Sequence, residues 1–204
     1  MNPPAPLLFY FDFISPFGYF ASLRVEALAA RHGRTVDWHA MLLGVSVMKV
    51  MGLKPLLDTP LKGDYIRRDA QRYMRRHGLV LKRRLDDPVM DPRAAGRAFH
   101  CVKHHHPALA VPLAHALYDA YWAQGRDLST ADAIADIALP EGLDPGWLRA
   151  AIASDEAGAL MRSAVDASLK AGIFGSPTLV VDGEPFWGVQ TLELAEEWLQ
   201  RGGW

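Results

Sequence analysis

Leu7 to Phe13 is an almost unbroken apolar, aromatic-rich run with Asp12 as its only charge, a pattern that predicts a buried β-strand. The period changes at Ser15-Pro16, after which Phe17, Phe20, Leu23, Ala27 and Leu28 recur at helical spacing. Ser favours the N-cap and Pro the first helical position, so Ser15 is expected at the mouth of this helix. Its hydroxyl would face unpaired backbone N–H groups and the positive end of the helix dipole. Such a place can hold an anion, or it can be a Ser that does no more than cap a surface helix.

Thr35 to Leu43 reads as a second strand, apolar at Val36, Trp38 and Ala40, so strand, helix and strand form a right-handed parallel βαβ unit. Val45 to Met51 is a short apolar piece, broken at Gly52-Leu53-Lys54-Pro55 and followed by loop-like Asp58 to Pro60. Helices are predicted over Asp64 to His77, closed by Gly78, and over Ala94 to His105 and Pro112 to Gln124. Further helices are expected from Ser129-Thr130-Ala131-Asp132 through Ala138, from Pro145, and over Glu156 to Ala171. Gly175-Ser176-Pro177 then makes a turn before a strand at Thr178 to Val181. Asp182-Gly183 signals a type I′ hairpin into Glu184 to Gly188, and Thr191 to Leu199 closes with an amphipathic helix. The layout is α/β: a βαβ…ββα domain over residues 1–45 and 160–204, with an all-helical insertion over 46–159.

Composition narrows the class. In 204 residues half are apolar and the formal net charge is -1, which suits a globular enzyme or binding protein and argues against general nucleic-acid binding. MNPPAPLL has neither a basic region nor a long apolar core, so no secretory signal is expected, and no apolar run is long enough to span a bilayer. Cys101 is the lone cysteine; it excludes an intramolecular disulfide and fits a reducing, cytoplasmic setting.

Two segments carry a resemblance. FYFDFISPFGYFAS near the start and AGIFGSPTLVVDGEPFWG near the end, joined by LKGDYIRRDAQRY and DLSTADAIADIA, are similar to the 2-hydroxychromene-2-carboxylate isomerases. These resemble the DsbA/kappa-class glutathione transferase branch of the thioredoxin fold, in which a helical insertion divides a βαβ…ββα domain. Thioredoxin-like oxidoreductases carry Cys-x-x-Cys where this chain reads Ser15-Pro16-Phe17-Gly18, so disulfide exchange has no attacking thiolate here.

The resemblance implies glutathione as cofactor and an aromatic acid as substrate. Ser15 would steady the glutathione thiolate, Ser176 would pair with the peptide backbone of glutathione, and Pro177 would follow a cis bond. Phe17, Leu53, Gln190 and Thr191 fall at the remaining cofactor contacts. Two of these places depart from the family: Leu53 stands where Asn is frequent, and Gln190-Thr191 where Asp-Arg is typical, so the γ-glutamyl amine loses an acid partner. The reaction implied is cis–trans isomerisation of an unsaturated 2-oxo acid by reversible thiolate addition, in a homodimer. Lys62, Arg67, Arg68 and Arg72 are the cations placed to meet a substrate carboxylate; they also fit a solvated helix face.

Other clusters carry less. His100 with His104, and Cys101 with His105, share helix faces at i, i+4, but a second separated ligand pair is missing, so no specific metal site is expected. A His-rich helix end, favourable at the negative end of the dipole, is the plainer reading. Arg67, Arg68, Arg72, Arg75, Arg76, Lys82, Arg83 and Arg84 spread around more than one helix face, which suits a solvated surface, a dimer rim or attraction for anions over nucleic acid. Trp187, at the edge of the sheet, is expected in the core more than as a ligand stack, though it borders the glutathione-contact segment. Besides the isomerase, two other classes remain: a kappa-like glutathione transferase using the same Ser15, and a non-catalytic thioredoxin-like binding protein.

Overall fold

The structure is a computed structural model that describes residues 4–204. Met1 to Pro3, the start of the N-terminal stretch read for a secretory signal, lie outside the described residues. Strand β1 (Leu7–Phe11) is one of the two inner strands of a four-stranded sheet ordered β2-β1-β3-β4. It pairs in parallel with β2 (Val36–Ala40), Leu7 opposite Val36 and Phe11 opposite Ala40. On its other side β3 (Thr178–Val181) runs antiparallel, Tyr10 opposite Thr178. The edge strand β4 (Glu184–Trp187) joins β3 through Asp182 and Gly183, both at positive φ (51° and 92°), as the type I′ reading requires.

Side chains alternate across β1. Leu7, Phe9 and Phe11 enter the main core with Trp38, while Tyr10 joins a small cluster with Met41 and Ile173 on the opposite face. The helix α1 (Pro16–Arg31) connects β1 to β2, and Trp38 reaches back to it through an indole N–H···Oε1 bond of 2.6 Å to Glu26. Helices α2 (Lys62–His77), α3 (Arg93–His105), α4 (Pro107–Tyr118), α5 (Ala131–Ala135), α6 (Pro145–Ala153) and α7 (Asp155–Lys170) follow β2, and α8 (Leu192–Arg201) ends the chain. This is the α/β frame with a helical insertion expected from the sequence. One hydrophobic cluster runs unbroken from the sheet into α3, α4 and α6, and the boundary drawn between residues 159 and 160 falls inside α7.

Several boundaries differ from the sequence reading, each for a local reason. Strand β1 stops at Phe11, two residues early, because the backbone of Asp12 to Ile14 is taken by side chains instead of a neighbouring strand. Strand β2 ends at Ala40; Met41 still donates to Phe11 at 2.7 Å, but the Leu43 N–H turns to the Asp12 carboxylate at 2.7 Å. Val45 to Met51 is a wide π-helical stretch, Gly44–Val50. Helix α2 begins two residues before Asp64 and is closed by Gly78 in the left-handed region (φ 64°), as expected.

The helix predicted from Pro112 starts instead at Pro107, where a missing N–H costs nothing, and carries Pro112 inside it. It continues through a π turn, Asp119–Ala123. The cap of α5 is Thr130, whose hydroxyl accepts from Ala133 N–H; Ser129 is held away by Asp127 and by the Asp91 N–H, and α5 ends at Ala135, short of Ala138. Among the described residues, no helix is long and apolar enough to cross a membrane.

Candidate active site

Ser15 occupies the N-cap of α1 in extended backbone geometry (φ -88°, ψ 116°). Its hydroxyl oxygen accepts from the Gly18 N–H at 3.0 Å and its hydroxyl proton goes to the Ser176 carbonyl at 3.0 Å. The group is 4% exposed, with both roles of the hydroxyl in use. Ser176 returns the connection: its Oγ accepts the Asp12 N–H at 2.9 Å. The turn into α1 and the turn into β3 are therefore stitched together by two serines. The Ser176–Pro177 peptide bond is cis, and the Pro177 carbonyl accepts from Gly188 N–H at 2.8 Å, tying the end of β4 to the same place.

Gly18 makes that approach possible. A Cβ at this position would lie 2.7 Å from the Tyr118 hydroxyl oxygen and 2.8 Å from Ser176 Oγ, closer than any carbon can sit. Behind the turn, Tyr118 donates its O–H to the Asp12 carbonyl at 3.1 Å and Trp122 its indole N–H to the Phe13 carbonyl at 3.0 Å. Both come from α4 and its π turn, so the inserted helices hold the backbone that aims Ser15.

Asp12 is the buried carboxyl of this region. Its oxygens accept from Leu43 N–H at 2.7 Å and Ile14 N–H at 3.2 Å. Burial outweighs those bonds and lifts the group to about 7. Asp12, Gly18, Tyr118 and Trp122 escaped the sequence reading as site residues. Asp12 had a visible signal, a lone charge in an apolar strand; the loop that Tyr118 and Trp122 would reach had none.

Of the residues singled out beforehand, Ser15, Ser176 and Pro177 are brought together. Phe17 is half-buried beside them on the first turn of α1, edge-on to Phe20 at 5.8 Å. Leu53 is exposed, on the segment after Gly44–Val50; within Gly44–Val50 the Ser46 hydroxyl donates to the Phe174 carbonyl at 3.3 Å. Thr191 spends its hydroxyl proton on the Gly188 carbonyl at 2.8 Å. Gln190 donates its amide to Asp69 at 2.6 Å, so a carboxylate from α2 stands behind the amide where the family has its acid. That carboxylate was not singled out beforehand, since nothing local links residues 69 and 190.

The four candidate cations separate. Arg67 is bound to Asp86 at 2.6 Å and to the Leu57 carbonyl at 3.3 Å, and Arg72 to Asp69 at 2.7 Å. Among the described residues Lys62 and Arg68 make no ion pair and stand exposed on α2. Trp187, expected in the core, is 51% exposed, because β4 is the edge strand. It packs at 5.0 Å against Phe174, also exposed, and its indole lies over Gly175, leaving no room for a side chain there. His100 is buried and bonded to the Ala40 carbonyl at 2.9 Å, and burial pushes its imidazole down to about 4.

The family model described as a DSBA-like thioredoxin domain matches residues 7–200. The chain is 28% identical over 202 residues to a 2-hydroxychromene-2-carboxylate isomerase of Pseudomonas putida, covering 95% of this chain and 93% of that one. It is 26% identical over 199 residues to the enzyme of the same name from Sphingobium xenophagum, covering 94% and 96%. Among solved structures, a 2-hydroxychromene-2-carboxylate isomerase superposes with a TM-score of 0.77 at 24% identity over 96% of this chain and 94% of that one. A probable DsbA oxidoreductase from Streptomyces coelicolor does so with a TM-score of 0.76 at 19% identity, over 97% and 89%.

Proposed function

For a chain that belongs to the DSBA-like thioredoxin domain family yet has no thiol in its first strand-to-helix turn, we propose an isomerase of the 2-hydroxychromene-2-carboxylate type that borrows its thiol from glutathione. The observation that carries this reading is the Ser15 hydroxyl, buried at the start of α1 and hydrogen-bonded to the residue before Pro177. Full-length similarity to enzymes of that name supports the reaction class.

The residues present suit glutathione. Ser15 gives its proton to Ser176 C=O, and that bond can be exchanged: a peptide N–H of a ligand can take the carbonyl, which frees the Ser15 O–H to turn to an anion. The hydroxyl then donates to negative charge at the positive end of α1, where such charge is favoured by about 0.3–1 kcal/mol or more when partly buried. Bound glutathione would supply a thiolate that adds reversibly to a conjugated double bond, turning it into a single bond free to rotate.

The chain's own residues provide the rest. Gln190, backed by Asp69, would receive the γ-glutamyl amine through an amide whose dipole is set by a carboxylate. Phe17 and Leu53 would line the cofactor, while Phe174 and Trp187 offer an aromatic wall for the substrate ring. Arg68 and Lys62, free of ion pairs among the described residues, would meet the substrate carboxylate; Arg67 and Arg72 would keep their present partners.

The test is turnover of 2-hydroxychromene-2-carboxylate, followed by its ultraviolet absorbance, with and without glutathione, in the wild-type chain and in Ser15→Ala. Turnover that requires glutathione and falls sharply in Ser15→Ala is expected. Equal rates with and without glutathione, or an unchanged titration of the bound thiol in the variant, would overturn the role given to Ser15. Conjugation of an aryl halide with the chromene untouched would instead mark a transferase.

A further inference from the structure

On the far end of α3 a second constellation brings three different ligand types together. Cys101 and His105 lie one helical turn apart, and Glu156 reaches them from the first turn of α7. The Cys101 sulfur, a His105 ring nitrogen and a Glu156 carboxylate oxygen all lie within 4.8 Å of one another. His105 Nε2 is already 3.1 Å from Glu156 Oε2. The thiol is 1% exposed and sits beneath the two exposed ligands, so an ion would enter from solvent over them. The Trp147 edge, from α6, holds the His105 ring at 5.9 Å and the His106 ring at 4.6 Å. His100 takes no part, being committed to the Ala40 carbonyl.

We propose that Cys101, His105 and Glu156 form a zinc-class metal site that clamps α3 to α7, with a fourth position for water. Zn²⁺ bonds of about 2.0–2.3 Å to S, N and O place donor pairs roughly 3–4 Å apart, a spacing that rotation of the exposed His105 and Glu156 side chains reaches. The charges suit the place: a thiolate and a carboxylate cancel the double charge of the ion, so the loaded site is neutral above a buried sulfur. Binding expels one proton from the Cys101 thiol, His105 donates a neutral nitrogen lone pair, and no electron changes hands.

Cobalt(II) titration of the untagged full chain, stripped with a chelator, tests the site, because a thiolate–cobalt bond gives a near-ultraviolet charge-transfer band that histidines alone do not. The expected result is a saturable band at one cobalt per chain, with tetrahedral visible bands, displaced by Zn²⁺. Cys101→Ser should abolish the charge-transfer band, and Glu156→Gln should weaken binding by more than the roughly 10–100-fold that outer-shell changes cost. A His104→Ala/His106→Ala double variant should bind as the wild type does. Absence of the band, or uptake that is unchanged in Cys101→Ser and Glu156→Gln but lost in the double histidine variant, would overturn the site as adventitious binding by the histidine-rich helix end. Should Cys101→Ser fail to fold, His105→Gln and Glu156→Gln, both at exposed positions, decide alone: unchanged affinity in both overturns the proposal.

Discussion

Asp12→Asn removes the ionisable group buried behind the Ser15 turn and keeps its shape. In the fold Asp12 is lifted to about 7 from an ordinary 3.8, with burial the dominant cause. The folded state therefore holds this proton more tightly than the unfolded chain does. Its contribution to stability is complete below the unfolded value and is lost as pH rises from there through about 7. A gap of about 3 pKa units at ~1.36 kcal/mol each gives about 4 kcal/mol, large against a typical total of ~5–15 kcal/mol.

His100 works in the opposite direction over an overlapping range. Held down to about 4 by burial, it adds stability that is present above its ordinary value of 6.5 and is lost as pH falls toward 4. His115, also held below its ordinary value by burial, adds to the side of His100, so in the wild type the two histidines oppose the loss from Asp12 up to about pH 6.5, and that loss runs on alone from there through about 7. In Asp12→Asn the His100 contribution is uncovered, and stability should climb across the same range. Urea unfolding at several pH values, comparing slopes and not absolute stabilities, reads this directly, since the amide also loses one of the two N–H bonds that the carboxylate accepts. Parallel stability–pH curves for the two proteins would refute the assignment.

Two further predictions concern the same turn and one concerns helix α2. Gly18→Ala forces a carbon to within 2.7 Å of the Tyr118 hydroxyl, so the turn must shift; a loss of about 1–3 kcal/mol in denaturant unfolding is expected, and wild-type stability would contradict the close approach. Trp122→Phe leaves the Phe13 carbonyl without its indole donor; it should cost about 1–3 kcal/mol and speed hydrogen exchange at the Gly18 amide, and unchanged exchange would show that the inserted helices do not brace the turn. Arg68→Gln should raise KM for a carboxylate substrate while leaving kcat in place, more so at low salt, whereas the same change at the Asp86-bound Arg67 should have its main effect on stability; equal KM values for wild type and Arg68→Gln would remove Arg68 from the substrate.

What could be read from the chain alone was governed by range. Ser15 at a helix mouth, Gly78 at a helix end and the Asp182-Gly183 hairpin are decided within a few residues, and each stands where local rules put it. Distant partners decide the rest. The end of β1 depends on a carboxylate that chooses Leu43 and on two aromatic side chains more than a hundred residues away. Helix α4 passes over Pro112 because Leu113, Leu117 and Tyr118 are buried around it, and packing outweighs one lost backbone bond. Thr130 takes the cap of α5 from its neighbour because Ser129 is engaged by Asp91 and Asp127. Trp187 reads as core by residue type even at the sheet edge, but there it stands half exposed, with Phe174 against it.

The turn Ser15-Pro16-Phe17-Gly18 has a further consequence for life in an oxidising environment. A hydroxyl cannot climb the ladder from sulfenic to sulfonic acid, and the chain's own thiol, Cys101, is buried away in α3. Peroxide should therefore spare this turn at doses that cripple relatives built on paired thiols. If the thiol is borrowed as proposed, the redox vulnerability of the reacting sulfur would reside in a small molecule that the cell can replace.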